Sequence, residues 1–205
     1  MKWTRTSFGL VAERTGGPAA EFLVAIIGGA DASPNLLDAA DAWAAALPFG
    51  AFVVFEAEGD IPVRITRSLA GLPIPSGRQL LVGIGKGGGL CIDRAVEMPA
   101  ACTGVLVYDP PAALATAAAA LDRRVKVRLV GFGSDDPDRE RLPGRLVQRL
   151  RSLGIDARAT QLRERGLAGP AVRIGTAYLA ELSAAALDPP MPFHRPSTAV
   201  KLGDR

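Results

Sequence analysis

From residue 22 to residue 186 the chain alternates short apolar runs with helix-length amphipathic segments, and this alternation restricts the fold more than any other feature. The run 22–27 is continuously apolar and ends at Gly28-Gly29, as a parallel strand covered on both faces would. Ser33-Pro34 then reads as an N-cap followed by proline in the first turn. Behind it Leu36, Leu37, Ala40, Trp43 and Ala44 share one face of a helix that runs to about Leu47, where Pro48-Phe49-Gly50 breaks it. Further strands are predicted at 51–55, 79–84, 104–108, 126–131 and 156–162, and further helices at 87–98, 111–121, 143–153 and 169–186. Residues 58–77, rich in Gly and Pro, are the longest irregular stretch. Such an order specifies an α/β domain: a mostly parallel sheet with helices on both faces, binding ligands at the carboxyl ends of its strands. Alternation of Thr4, Thr6, Phe8 and Leu10 within residues 1–20 adds an antiparallel edge strand. The reading gives one domain over 1–186 and a Pro-rich tail over 187–205.

Composition narrows the function. A chain of 205 residues, 48% hydrophobic and 22% charged, can bury a core and is not disordered. The net charge of +3 is carried largely by Arg, which with the abundant Ala fits a GC-rich bacterial genome. The basic residues do not cluster beside aromatics, which argues against nucleic acid. No apolar run approaches the roughly 20 residues of a transmembrane segment, and no apolar stretch of a signal peptide follows Met1-Lys2, so the expected location is cytoplasmic. Cys91 and Cys102 have neither metal-site nor disulfide-framework spacing and read as small core hydrophobes. No metal and no cofactor is expected.

The chemistry should lie in Gly83-Ile84-Gly85-Lys86-Gly87-Gly88-Gly89, between a strand and a helix. One reading is the nucleophile elbow, G-x-S-x-G, with Gly83 and Gly87 as flanks and Gly85 where the serine would stand. A second is the dinucleotide fingerprint G-x-G-x-x-G on Gly83, Gly85 and Gly88, with Asp109 reaching a ribose. A third is a turn whose glycines serve only close strand–helix packing.

Taken with what surrounds it, this loop resembles that of the α/β-hydrolases, in the phospholipase/carboxylesterase branch that includes acyl-protein thioesterases. The likeness rests on Ile26-Ile27-Gly28-Gly29-Ala30-Asp31 leading into Asn35-Leu36-Leu37, on Leu81 to Gly89, on Thr103 to Tyr108, and on Phe132-Gly133-Ser134-Asp135-Asp136-Pro137. The resemblance implies a three-layer sandwich with an elbow at Gly85, an acid at Asp136 and a base before the last helix, where Arg165 stands. The serine and histidine of the triad are therefore missing, and Ile27 occupies a histidine position of the oxyanion turn. The sole histidine, His194, falls in the tail. Asp136 either pairs with Arg165 or caps the helix beginning after Pro137.

No catalytic residue is expected, the positions Gly85, Asp136 and Arg165 being degenerate. Candidate ligand-binding residues are Gly28, Gly29, Gly85, Lys86 and Gly87, where a helix N-terminus with added positive charge favours anions. The leading expectation is a non-catalytic, pseudo-esterase protein that binds, regulates or builds an assembly through a protein partner or a second copy, anchored by Met191 and Phe193 of the tail. The alternative is an active esterase or thioesterase of atypical mechanism, or a nucleotide-binding protein using the Gly83–Gly89 loop.

Overall fold

A computed structural model describes residues 2–5, 10–13, 20–28, 35–55 and 77–187. Ser33-Pro34, Gly29, His194 and the tail anchors Met191 and Phe193 lie outside the described residues. The sheet has eight strands in the order β1-β2-β4-β3-β5-β6-β7-β8. Six of them, β3 (Phe22–Ile27), β4 (Gly50–Phe55), β5 (Gln79–Ile84), β6 (Cys102–Tyr108), β7 (Lys126–Phe132) and β8 (Ala157–Leu162), run parallel. The mostly parallel α/β sheet expected from the alternation is present.

Side chains of β3 show why these runs are apolar throughout. Leu23, Ala25 and Ile27 join one core, and Phe22, Val24 and Ile26 join the other. The first core is completed by α2 (Gly87–Glu97), α3 (Leu114–Ala117) with the 3₁₀ turn Ala118–Ala120, and α4 (Pro137–Ser152). The second is completed by α1 (Leu36–Ala46) and α5 (Pro170–Leu187). Strands covered on both faces have no polar side to alternate with.

Three elements differ from expectation. The amino-terminal edge is a hairpin, not one strand: β1 (Lys2–Arg5) pairs antiparallel with β2 (Leu10–Glu13), and β2 pairs with β4 at Leu10↔Val54. Folding back lets Trp3 Nε1 donate to Asp41 Oδ1 of α1 at 2.6 Å, which ties the edge to the helical layer. The Ala-rich segment expected as a helix over 111–121 is only one turn of α3 and a 3₁₀ turn. Alanine favours helix but has little to bury, so the segment takes the path that seats Leu114, Ala118 and Leu121 in the core. The helix expected from Pro143 begins six residues earlier and carries Pro143 in its interior. Proline costs such a helix a hydrogen bond. Here its ring is buried against Gly131, where a Cβ would come within 2.6 Å of Pro143 Cγ.

Candidate functional site

The parallel strands end together above a cleft of about 760 Å³, lined by the ends of β5, β6 and β7 and by the loops after β7 and β8. Its floor is the turn after β5. Gly85 there has φ +56°, a left-handed conformation that costs glycine nothing and other residues about 1–2 kcal/mol. Its amide donates to Tyr108 O at 2.9 Å, so the turn is pinned to β6. Among the described residues nothing lies within 4 Å of where a Cβ of residue 85 would stand.

The other glycines have a different cause. A Cβ on Gly83 would overlap the Gly88 backbone, one on Gly87 would overlap the Ile27 carbonyl oxygen, and one on Gly88 would overlap Val107. Close approach of α2 to β3, β5 and β6 accounts for all three. The turn thus has the form of the elbow, and its glycines are explained without a pyrophosphate.

Of the residues expected to form the site, Gly85, Lys86, Asp136 and Arg165 line this cleft. Gly28 does not: it follows β3, and its amide donates to Phe55 O at 3.3 Å. Gly87 opens α2 against Ile27. Asp136 turns out to be the N-cap of α4, its Oδ1 accepting from the Asp138 amide at 2.9 Å, with Pro137 in the first turn. Of the two roles open to Asp136, the cap is the one it takes, and it does not pair with Arg165. Arg165 donates from Nε to Gly133 O at 2.8 Å and from Nη2 to Asp135 Oδ2 at 3.3 Å, because the cap already claims Asp136. Asp136→Ala should therefore act on stability, lowering it by about 0.5–2 kcal/mol in denaturant titration, the usual cost of losing a cap.

Asp109 is the site residue the sequence placed least well, having been considered only for a ribose. It follows β6, lines the cleft and takes φ +48°, the one non-glycine residue with positive φ among those described. Its Oδ2 accepts a hydrogen bond from Arg139 Nη2 of α4. An aspartate ending a parallel strand beside the elbow was the signal for it. Ser134 also lines the cleft and accepts from the Asp136 amide at 3.2 Å. The cysteines take no part: burial pushes the Cys91 thiol up and the Cys102 thiol up to about 12, so both stay protonated. No group of three or more His, Cys, Asp or Glu among the described residues could hold a metal ion. No helix among the described residues is long and apolar enough to cross a membrane.

This strand order, with an elbow after β5 and the ends of β6 and β7 facing it, is the α/β-hydrolase fold. Esterase PE8 has the same fold, with a TM-score of 0.67 and 19% identity over 89% of this chain and all of that one. Dienelactone hydrolase from Anabaena variabilis aligns with a TM-score of 0.66 and 15% identity, over 88% of this chain and 96% of that one. An esterase from Pyrobaculum calidifontis aligns with a TM-score of 0.64 and 12% identity, over 88% and 82% respectively. No protein-family model matches the sequence, and no curated protein matches it.

The expectation of a non-catalytic binding or structural subunit is corrected by these findings. Structures that superpose on the chain include esterases and a hydrolase, which favours the hydrolase alternative, and nothing in the comparisons supports a pseudoenzyme. The cleft remains open and retains charged groups at its strand ends.

Proposed function

We propose that the chain is a carboxylic-ester or thioester hydrolase of atypical mechanism, in which water attacks where other enzymes of this fold use a serine. The observation that carries this reading is the space over Gly85 that no described residue fills, on an elbow kept in left-handed conformation at the floor of the cleft. A water molecule there takes the place of the hydroxyl. Asp109, lining the same cleft and steadied by Arg139, is the base. Water oxygen bonds to the acyl carbon while its proton passes to Asp109. The carbonyl oxygen takes the negative charge against the Lys86 amide, which follows the elbow residue, whereas the Gly88 and Gly89 amides already donate to Gly85 O and Lys86 O. Collapse breaks the C–O or C–S bond, and the departing alcohol or thiol takes the proton from Asp109.

The test uses p-nitrophenyl esters and acyl thioesters as probes. Asp109→Asn should lower kcat by roughly 10²–10⁴-fold, the usual contribution of a positioned base. Asparagine tolerates positive φ as aspartate does, so the substitution removes the charge and spares the backbone. A fluorophosphonate probe should not label the protein. Labelling at Ser134 would move the nucleophile there, and absence of turnover with every ester and thioester would overturn the reading.

A further inference from the structure

The charges in the cleft go beyond the reaction and bear on what it accepts. Its lining contributes four cations, Lys86, Arg139, Arg145 and Arg165. Three are neutralised by the protein itself. Arg139 pairs with Asp109. Arg145 reaches Asp138 Oδ1 at 3.2 Å and the Asp138 carbonyl oxygen at 2.7 Å. Arg165 pairs with Asp135 at 3.3 Å. Lys86 has no acidic partner among the described residues. The acid left over, Asp136, is turned to the amides of α4 as its cap. Around these groups the lining is apolar, with Ile84, Pro110, Phe132, Leu142 and Leu167.

We infer that the cleft selects an acyl chain ending in a carboxylate, the monoester or thioester of a short dicarboxylic acid, with Lys86 Nζ as the group that holds the distal carboxylate. This inference rests on the hydrolase reading above. An apolar channel suits the methylenes, and its single uncompensated positive charge suits one anion. Lys86 is the chain neighbour of Gly85, so the held carboxylate and the reacting carbonyl are separated by a short chain. A lysine is a point charge on a flexible stem and tolerates some variation in that length.

The experiment compares ethyl hydrogen glutarate with ethyl valerate, its uncharged analogue, by pH-stat titration. The native chain should favour the glutarate ester by about five- to tenfold in kcat/KM, chiefly through KM, and less so in high salt. Lys86→Met should bring the ratio close to one, and Lys86→Glu should turn the preference toward the cationic ethyl aminovalerate. Calorimetry with glutarate itself reads the same contact without turnover, and the affinity should fall about as much in Lys86→Met. Equal rates for the two esters, or equal glutarate binding by Lys86→Met, would overturn this inference while the hydrolase reading stood. Glutarate binding that depends on Lys86, with no ester hydrolysed, would support the anion contact and overturn the hydrolase reading instead.

Discussion

Replacing Asp156 with Asn and Glu181 with Gln together is expected to lower the unfolding free energy by about 3–5 kcal/mol, or roughly 6–20 °C in melting temperature, and Arg128→Met should cost clearly less. The asymmetry follows from where the charges sit. Arg128 is a strand residue of β7 with no exposed surface, whereas the side chains of Asp156 and Glu181 are 44% and 33% exposed. Its guanidinium makes a bidentate contact with each acid: Nη1 and Nη2 to Asp156 at 3.2 and 3.1 Å, and Nε and Nη2 to Glu181 at 3.1 and 2.7 Å. Replacing both acids with amides leaves a buried cation with no opposite charge beside it, held only by neutral acceptors, the Val127 and Asp156 backbone carbonyls and the two new amide oxygens. Removing the arginine leaves two acids that water already reaches, and methionine fills much of the vacated volume.

The same cluster predicts acid sensitivity. Burial is the largest single influence on the Asp156 carboxyl and raises it, but the Arg128 hydrogen bonds together with the charges of Arg128, Lys126 and Arg158 outweigh it and hold the group below its ordinary value. Hydrogen bonds from Arg128 lower Glu181 in the same way, against a smaller opposing effect of burial. Each acid therefore binds its proton more weakly in the folded chain than in the unfolded one. Their contribution is complete above the unfolded carboxyl range, about pH 4–5, and is lost as pH falls through the lowered native values. Because both acids are partly exposed the effect is moderated by solvent. In Arg128→Met the dependence of unfolding on pH in this window should be flatter. A variant as steep as the native chain would place the acid-sensitive groups elsewhere.

The cluster also marks where sequence reasoning stopped. Strands β3 to β7 were legible because a doubly covered strand must be apolar at nearly every position, and that shows in any single run. Arg128 broke the pattern in 126–131 without displacing the strand. That it would be buried, and paired with an acid 53 residues away, was not legible, because no local period reports a partner on another helix. In the acid loop the sequence left Asp136 between a pair with Arg165 and a cap; the cap is what forms, and Asp135, which had not been considered, takes Arg165. Asp109 carried a readable signal, its position after a strand, but its φ and its tie to Arg139 needed coordinates. Gly85 was read as the elbow position, and the turn after β5 carries it in the left-handed conformation that only coordinates could show.

Gly175→Ala is the second change expected to have a large effect, about 2–4 kcal/mol of stability, although it adds a single methyl group to a helix. On an exposed helix the substitution would stabilise. Here a Cβ would overlap Tyr108 Oη and come within 2.9 Å of Trp43 Nε1. Neither neighbour can yield cheaply. Tyr108 is fully buried, and its hydroxyl donates to Ala171 O at 3.0 Å. Burial holds that phenol well above its usual range, so it remains a donor. Trp43 is equally buried and donates to Val172 O at 3.1 Å, and the Tyr108 ring is stacked between Trp43 and Phe132. Relief must come from moving α5 off the sheet or from displacing the end of β6. That end carries the Gly85 contact and leads into Asp109, so the variant should disturb the floor of the cleft as well as lower stability. Tyr108→Phe removes the atom that clashes. In that background Gly175→Ala should cost less than in the native chain, with a coupling of about 0.5–3 kcal/mol between the two sites. Denaturant titration of both single variants and the double gives the coupling directly. Costs that simply add would show that the tyrosine hydroxyl does not fix the distance between α5 and β6.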